Sequence, residues 1–162
     1  MTTPPALLIP PLDRLLAGPI PVQPVTHVPM PTHHQFNWRS EHVGGPPPEA
    51  AYYHPKITIH VHGNGIAEQL PPNPVAWTLA CAWRGLQLEY PLIGPVLVTG
   101  TEGPGGAFTP LPAPLATQTE QVIGKVTPWW LEHAYMVPLW RDYADSRVFT
   151  PAIALARQAL TP

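Results

Sequence analysis

The sequence predicts a small α+β domain: a mixed sheet of about three to five strands, two or three helices on one face, and a Pro-rich N-terminal arm. Three observations predict it. Ile57, Ile59 and Val61 alternate with polar residues in "KITIHVH". Asn-Pro or Thr-Pro pairs stand at 73–74, 127–128 and 150–151, each ahead of an apolar stretch. Prolines at 19, 21, 24, 29 and 31 break up the N-terminal region.

The prolines come first in the chain. Proline spaced this way blocks helix and central strand, and favours extended backbone. Residues 1–50 are therefore expected as an extended arm that wraps the core or a neighbour's, with 51–162 as the single domain. "PPLDRLLAG" has room for one or two helical turns, and the alternation of Ile20, Val22, Val25 and Val28 suits a sheet edge. "VGGPPPEA" reads as a linker or turn.

The centre is more regular. Alternation at Lys56–His62 is the period of a strand with one buried face. "GNG" ends it with residues that tolerate positive φ. Asn73 is a strong N-cap, Pro74 fits the first helical turn, and Gly85 is placed to stop the helix. On that helix Ala76, Leu79, Ala80 and Trp83 share one face, with Trp83 as anchor and Trp77 to the side. "PVLVTG" reads as a buried strand, and "TEGPGGAFTPLPAPLA" as an exposed, mobile loop. A short strand is expected around Val122. Thr127-Pro128 then opens a helix limited by Pro138, and Thr150-Pro151 opens the last one.

Composition narrows the function. Charged residues are 11% and the formal net charge is −2, with only two lysines, Lys56 and Lys125. Duplex binding needs several basic contacts to phosphate, so nucleic acid is disfavoured as a partner. Cys81 is the only cysteine; it permits no internal disulfide and sits where a small buried hydrophobe belongs. No basic start followed by an unbroken apolar stretch and no run of about 18 apolar residues without proline occurs, which points away from a signal peptide or membrane span and towards a cytoplasmic protein.

Candidate chemistry is sparse. His54, His60 and His62 share parity, and would project from one face of a strand that began at His54. With Glu68 after the turn, they could hold zinc or another divalent transition metal, the cofactor of a metal-dependent enzyme. The simpler reading is a polar strand face, solvated or covered by the arm, with no cofactor. His27, His33 and His34 lie in a loop without a rigid base. Ser40 and Ser146, the only serines, lack a nucleophile-elbow context, and "GTEGPGG" has no phosphate-binding lysine. Glu132 with His133, or Asp142 with Asp145, fit the wet face of a helix. Trp129, Trp130, Tyr135, Trp140 and Tyr143 concentrate aromatic area in one segment, as core or as an interaction surface.

The block "ITIHVHGNGIAEQLPPNPVAWTLACAWRGLQLEYPLIGPVLVTG" resembles a small family of uncharacterised domains from phages, plasmids and other mobile elements. Members show a strand, an LPxNxxA stretch leading into a helix, then xIxGxVxVxG. The counterparts are Leu70, Pro71, Asn73 and Ala76, then Ile93, Gly94, Val96, Val98 and Gly100; Pro95 stands where a polar residue is common. The match spans residues 57–100. The resemblance implies a non-enzymatic accessory protein of phage or plasmid type, acting through an unidentified protein partner or by self-association. It carries over no catalytic group. The alternatives are the His60/His62 metal enzyme and a single-stranded nucleic-acid binder.

Overall fold

A computed structural model describes residues 5–16, 23–135 and 147–161. Its strands are β1 (Ala6–Ile9), β2 (Thr26–Val28), β3 (Pro48–His54), β4 (Ile57–His62) and β5 (Val96–Thr99). Its helices are α1 (Leu12–Leu16), α2 (Gln35–Val43), α3 (Pro74–Arg84), α4 (Ala113–Glu132) and α5 (Thr150–Leu160). The strands form one sheet in the order β2-β1-β5-β4-β3. The α+β class is as expected. The sheet is antiparallel at every pairing rather than mixed, because no helix crosses over between neighbouring parallel strands.

Register assigns the faces. Leu7, Val98 and Ile59 lie in one row across the sheet, and Leu8, Leu97 and His60 in the next. The first row faces α3, α4 and α5, and with them forms the main core of Ile9, Ile57, Val96, Leu79, Ile123 and Phe149. The second row faces α2, where Ala6, Val28, Val43 and Leu97 form a smaller cluster. Helices therefore lie on both faces, α3, α4 and α5 with the short α1 beside α4 on one, and α2 on the other.

The N-terminal segment differs most from expectation. Residue 50 lies inside β3, so the expected boundary between arm and domain cuts a strand. Ala6–Ile9 sits in the interior of the sheet, between β2 and β5. "ALLI" is apolar on both sides, as a strand covered on both faces must be. The prolines act around it: Pro10 and Pro11 end β1, and β2 is a three-residue edge between Pro24 and Pro29. Residues 17–22, with Ile20 and Val22, lie outside the described residues.

Asn73 ties the core together. Its Oδ1 accepts from Ala76 N–H at 3.2 Å, capping α3. Its Nδ2 donates to Ile9 O at 2.9 Å and to Gly94 O at 3.0 Å. Gly94 N–H in turn donates to Pro71 O at 2.6 Å. The LPPN stretch and the Ile93-Gly94 stretch are thus one hydrogen-bonded unit that also holds the end of β1. Gly94 has φ +80, a conformation that favours glycine, and a Cβ there would also push on Leu70 Cδ1, 2.9 Å away. Gly85 ends α3 in the left-handed conformation, as expected.

Three further expectations change. No strand forms at Val122: Ala116, Thr119, Val122, Ile123, Val126 and Trp130 recur at helical spacing and are all buried along α4. Pro128 lies within α4 rather than at its start. The helix continues through it because Val126, Thr127 and Trp130 are held against α3 and α5. Thr127 Oγ1 donates to Ile123 O at 2.7 Å beside the proline. On α3 the fully buried anchor is Trp77, edge-on to Phe149, because α5 covers that side; Trp83 is only partly buried. α5 starts at Thr150-Pro151 as expected. Among the described residues no helix is long and apolar enough to cross a membrane.

Candidate functional site

The α2 face of the sheet buries polar side chains. Thr58, His60 and Thr99 are fully buried there, and His62 nearly so. This is the polar strand face of the sequence, covered by α2 from the N-terminal segment and by Phe108. The loop carrying Phe108 folds as a hairpin, with Thr109 N–H donating to Thr101 O and Gly103 N–H to Ala107 O. Gln35 holds it down: its Nε2 donates to Phe108 O at 3.1 Å, and its Oε1 accepts from Phe108 N–H at 2.7 Å. Gly100 permits the close return, since a Cβ would meet Pro110 O at 2.5 Å.

A chain of hydrogen bonds runs through the layer. Arg39 Nε–H donates to His60 Nδ1 at 2.9 Å. Arginine is always a donor, so Nδ1 is unprotonated and the ring proton sits on Nε2. Nε2–H then donates to Thr99 Oγ1 at 2.8 Å, whose own proton goes to Gly100 O at 2.9 Å. The Phe108 ring stands edge-on to His60, centroids 4.5 Å apart. The Arg39 guanidinium carbon lies 4.6 Å from the same ring's centroid.

Burial pushes the His60 pKa down to about 3, and Arg39 adds to the effect. His60 is therefore neutral at physiological pH, and the charge in this hydrogen-bonded chain is carried by Arg39. Burial lowers the Arg39 pKa too, while Tyr52 and Glu102 act in the opposite direction. No carboxylate stands within 4.0 Å of Arg39 among the described residues, where the ion pair formed is His27 with Glu120, between β2 and α4. Its η N–H groups have no acceptor among those residues. Phe36, three residues before Arg39 on α2, and Tyr52 on β3, which acts on Arg39 electrostatically, are each 55% exposed.

The four residues considered for a metal separate. His60 and His62 share the α2 face. His54 lies on the other, its ring 5.5 Å from that of Trp83 on α3. The physical reason is the Pro55-Lys56 turn, which leaves His54 on β3, together with an irregularity between Ala51 and His54 that alters its register. His54 Nδ1 accepts from Lys56 N–H, and His62 Nδ1 from Asn64 N–H. Both nitrogens of His60 are engaged. Glu68 is exposed in the turn that follows β4. Among the described residues no group of three His, Cys, Asp or Glu stands ready to hold a metal ion.

The aromatic segment divides as well. Trp130 is core rather than surface: it faces α3, donates from Nε1 to Thr78 Oγ1 at 2.9 Å and stacks on Phe149. Trp129 is half-buried and stacks on His133, centroids 4.0 Å apart, and Tyr135 is exposed. Trp140, Tyr143, Arg141, Asp142, Asp145 and Ser146 lie outside the described residues. Cys81 is buried with its thiol pKa pushed up to about 12, which suits packing rather than attack.

Sequence reasoning missed Arg39, Gln35, Thr99 and Phe108. The one local signal was Phe108, a lone aromatic in a Gly/Pro hairpin. Comparison with protein-family models, with curated proteins and with solved structures gave no match.

Proposed function

We propose that this chain is a non-enzymatic accessory protein of the mobile-element type, working in the cytoplasm through protein contacts. The contact surface is the outer side of α2 and β3, formed by Phe36, Arg39 and Tyr52. One observation carries the reading: exposed Phe36 on the same helix and exposed Tyr52 on β3 accompany a cation that has no acidic partner among the described residues. Exposed aromatics beside arginine are the composition of binding hot spots. Groups that would do chemistry are occupied instead, His60 by Arg39 and Thr99, and Cys81 by burial. The metal-enzyme reading loses support from the engaged nitrogens of His60 and the opposite placement of His54. Single-stranded nucleic acid also stacks on aromatics, but it needs a basic groove, and Arg39 is a single cation with Glu102 nearby.

The test is co-expression with the products of the genes flanking this one. The expected result is co-purification of one of them at a fixed ratio, lost in Phe36→Ser/Tyr52→Ser with the fold intact by circular dichroism. A partner that survives the double substitution overturns this surface. A stoichiometric transition metal in untagged protein overturns the non-enzymatic reading.

A further inference from the structure

We infer that Arg39 is a carboxylate-binding site, at which the protein partner places an Asp, Glu or C-terminal carboxylate with an apolar group against Phe36 or Tyr52. The inference rests on the protein-contact reading and names its chemistry.

The guanidinium is already positioned. Nε is fixed by His60 Nδ1, and the guanidinium carbon lies over Phe108, itself held by Gln35. An arginine held on two sides loses little further freedom when it binds. With Nε engaged, the donors without an acceptor among the described residues are the two η nitrogens, whose parallel N–H pair matches the two oxygens of a carboxylate. A half-buried cation without an anion is desolvated at a cost, and a carboxylate offsets it. His60 stays neutral, so the site carries one positive charge and suits a single negative one.

The nearby acid does not fill this role. Glu102 acts on Arg39 electrostatically but makes no ion pair with it. Its carboxylate instead lies by the hairpin tip, where a Cβ at Gly106 would be 3.7 Å from Oε1. The field of Glu102 also disfavours a dianion, which selects carboxylate over phosphate. Phe36 precedes Arg39 by one helical turn, so both lie on the same side of α2. A ligand carboxylate on Arg39 thereby brings its apolar part to an exposed ring.

The experiment follows the Arg39 Nε–H signal by NMR in ¹⁵N-labelled full-length protein, with 3-phenylpropionate as probe. The expected result is a saturable shift of that signal and of the Phe36 or Tyr52 ring signals in the millimolar range. The neutral 3-phenylpropanamide should bind about tenfold more weakly, and Arg39→Lys, which keeps charge but loses the fork, should weaken the acid by about tenfold. Phe36→Ala keeps the fork, and so should weaken 3-phenylpropionate while leaving acetate unchanged. Equal binding of acid and amide, or a larger Arg39 shift with inorganic phosphate or oligo-dT, overturns the assignment. A partner lost with Phe36→Ser/Tyr52→Ser, while the acid leaves Arg39 unmoved, overturns the carboxylate assignment and leaves the contact surface standing. Acid binding at Arg39 with a partner indifferent to Phe36 and Tyr52 supports the carboxylate site and overturns both the surface and the apolar contact inferred beside it.

Discussion

On one side of the sheet, α3, α4 and α5 bury Ile57, Ile59, Val96 and Val98 under Trp77, Trp130 and Phe149. On the other, α2 and the hairpin bury Thr58, His60 and Thr99. The first layer is held by apolar area, which is non-directional and depends on volume. The second has a small apolar cluster around Val43 and Leu97 and, at His60 and Thr99, directed bonds that each need the partner at the right atom, while Thr58 Oγ1 has no hydrogen-bond partner among the described residues. The difference separates two tasks. The apolar layer supplies most of the stability. The polar layer contributes less, fixes Arg39 in one orientation and leaves its η N–H groups turned to no protein acceptor among the described residues.

The comparison is broken most directly at Trp77. Trp77→Ala should cost about 3–5 kcal/mol in denaturant unfolding. A loss under about 1 kcal/mol would mean that the three-helix layer is not the main core.

Next in size is acid sensitivity. The folded His60 pKa of about 3 lies below its ordinary 6.5. Between those values the unfolded chain binds a proton that the folded chain refuses, so stability falls as pH drops. His60 contributes a slope approaching about 1.4 kcal/mol per pH unit. His54, its pKa also lowered by burial and by Lys56, acts in the same direction. Unfolding midpoints of wild type and His60→Gln from pH 7 to 4.5 should converge towards acid; parallel curves would show that His60 titrates normally.

A double-mutant cycle then weighs the polar layer. Arg39→Leu and His60→Leu should each cost about 1–3 kcal/mol, by orphaning the remaining partner. The double substitution should cost clearly less than their sum, and additive losses would mean that the bond contributes nothing. The smallest effect belongs to the rim: Phe36→Ser and Tyr52→Ser should change stability by no more than about 0.5 kcal/mol. A larger loss would make these side chains structural rather than exposed for contact.

The apolar layer was far more legible in the sequence than the polar one. Asn73-Pro74, Gly85 and Thr150-Pro151 act locally, and the alternation of Ile57, Ile59 and Val61 marks β4 within seven residues. Thr127-Pro128 carried the same signal and misled, because the packing of α4 overrides a local stop. "ALLI" is too short, and too close to prolines, to announce an interior strand. α2 is mostly polar, so its role as a cover for His60 has no apolar stripe to reveal it. Arg39, His60 and Phe108 come from three separate segments, and only the antiparallel order brings them together.

The placement of β1 has a consequence for how the chain is made. Leu7 pairs with Val98, and Asn73 reaches back to Ile9 O. During synthesis β1 leaves the ribosome long before β5 exists, so the middle of the sheet is a late, sequence-distant closure of the kind that slows folding. Nascent chains stalled before Val96 should remain protease-sensitive throughout, and those extended beyond the exit tunnel past α5 should become resistant in one step.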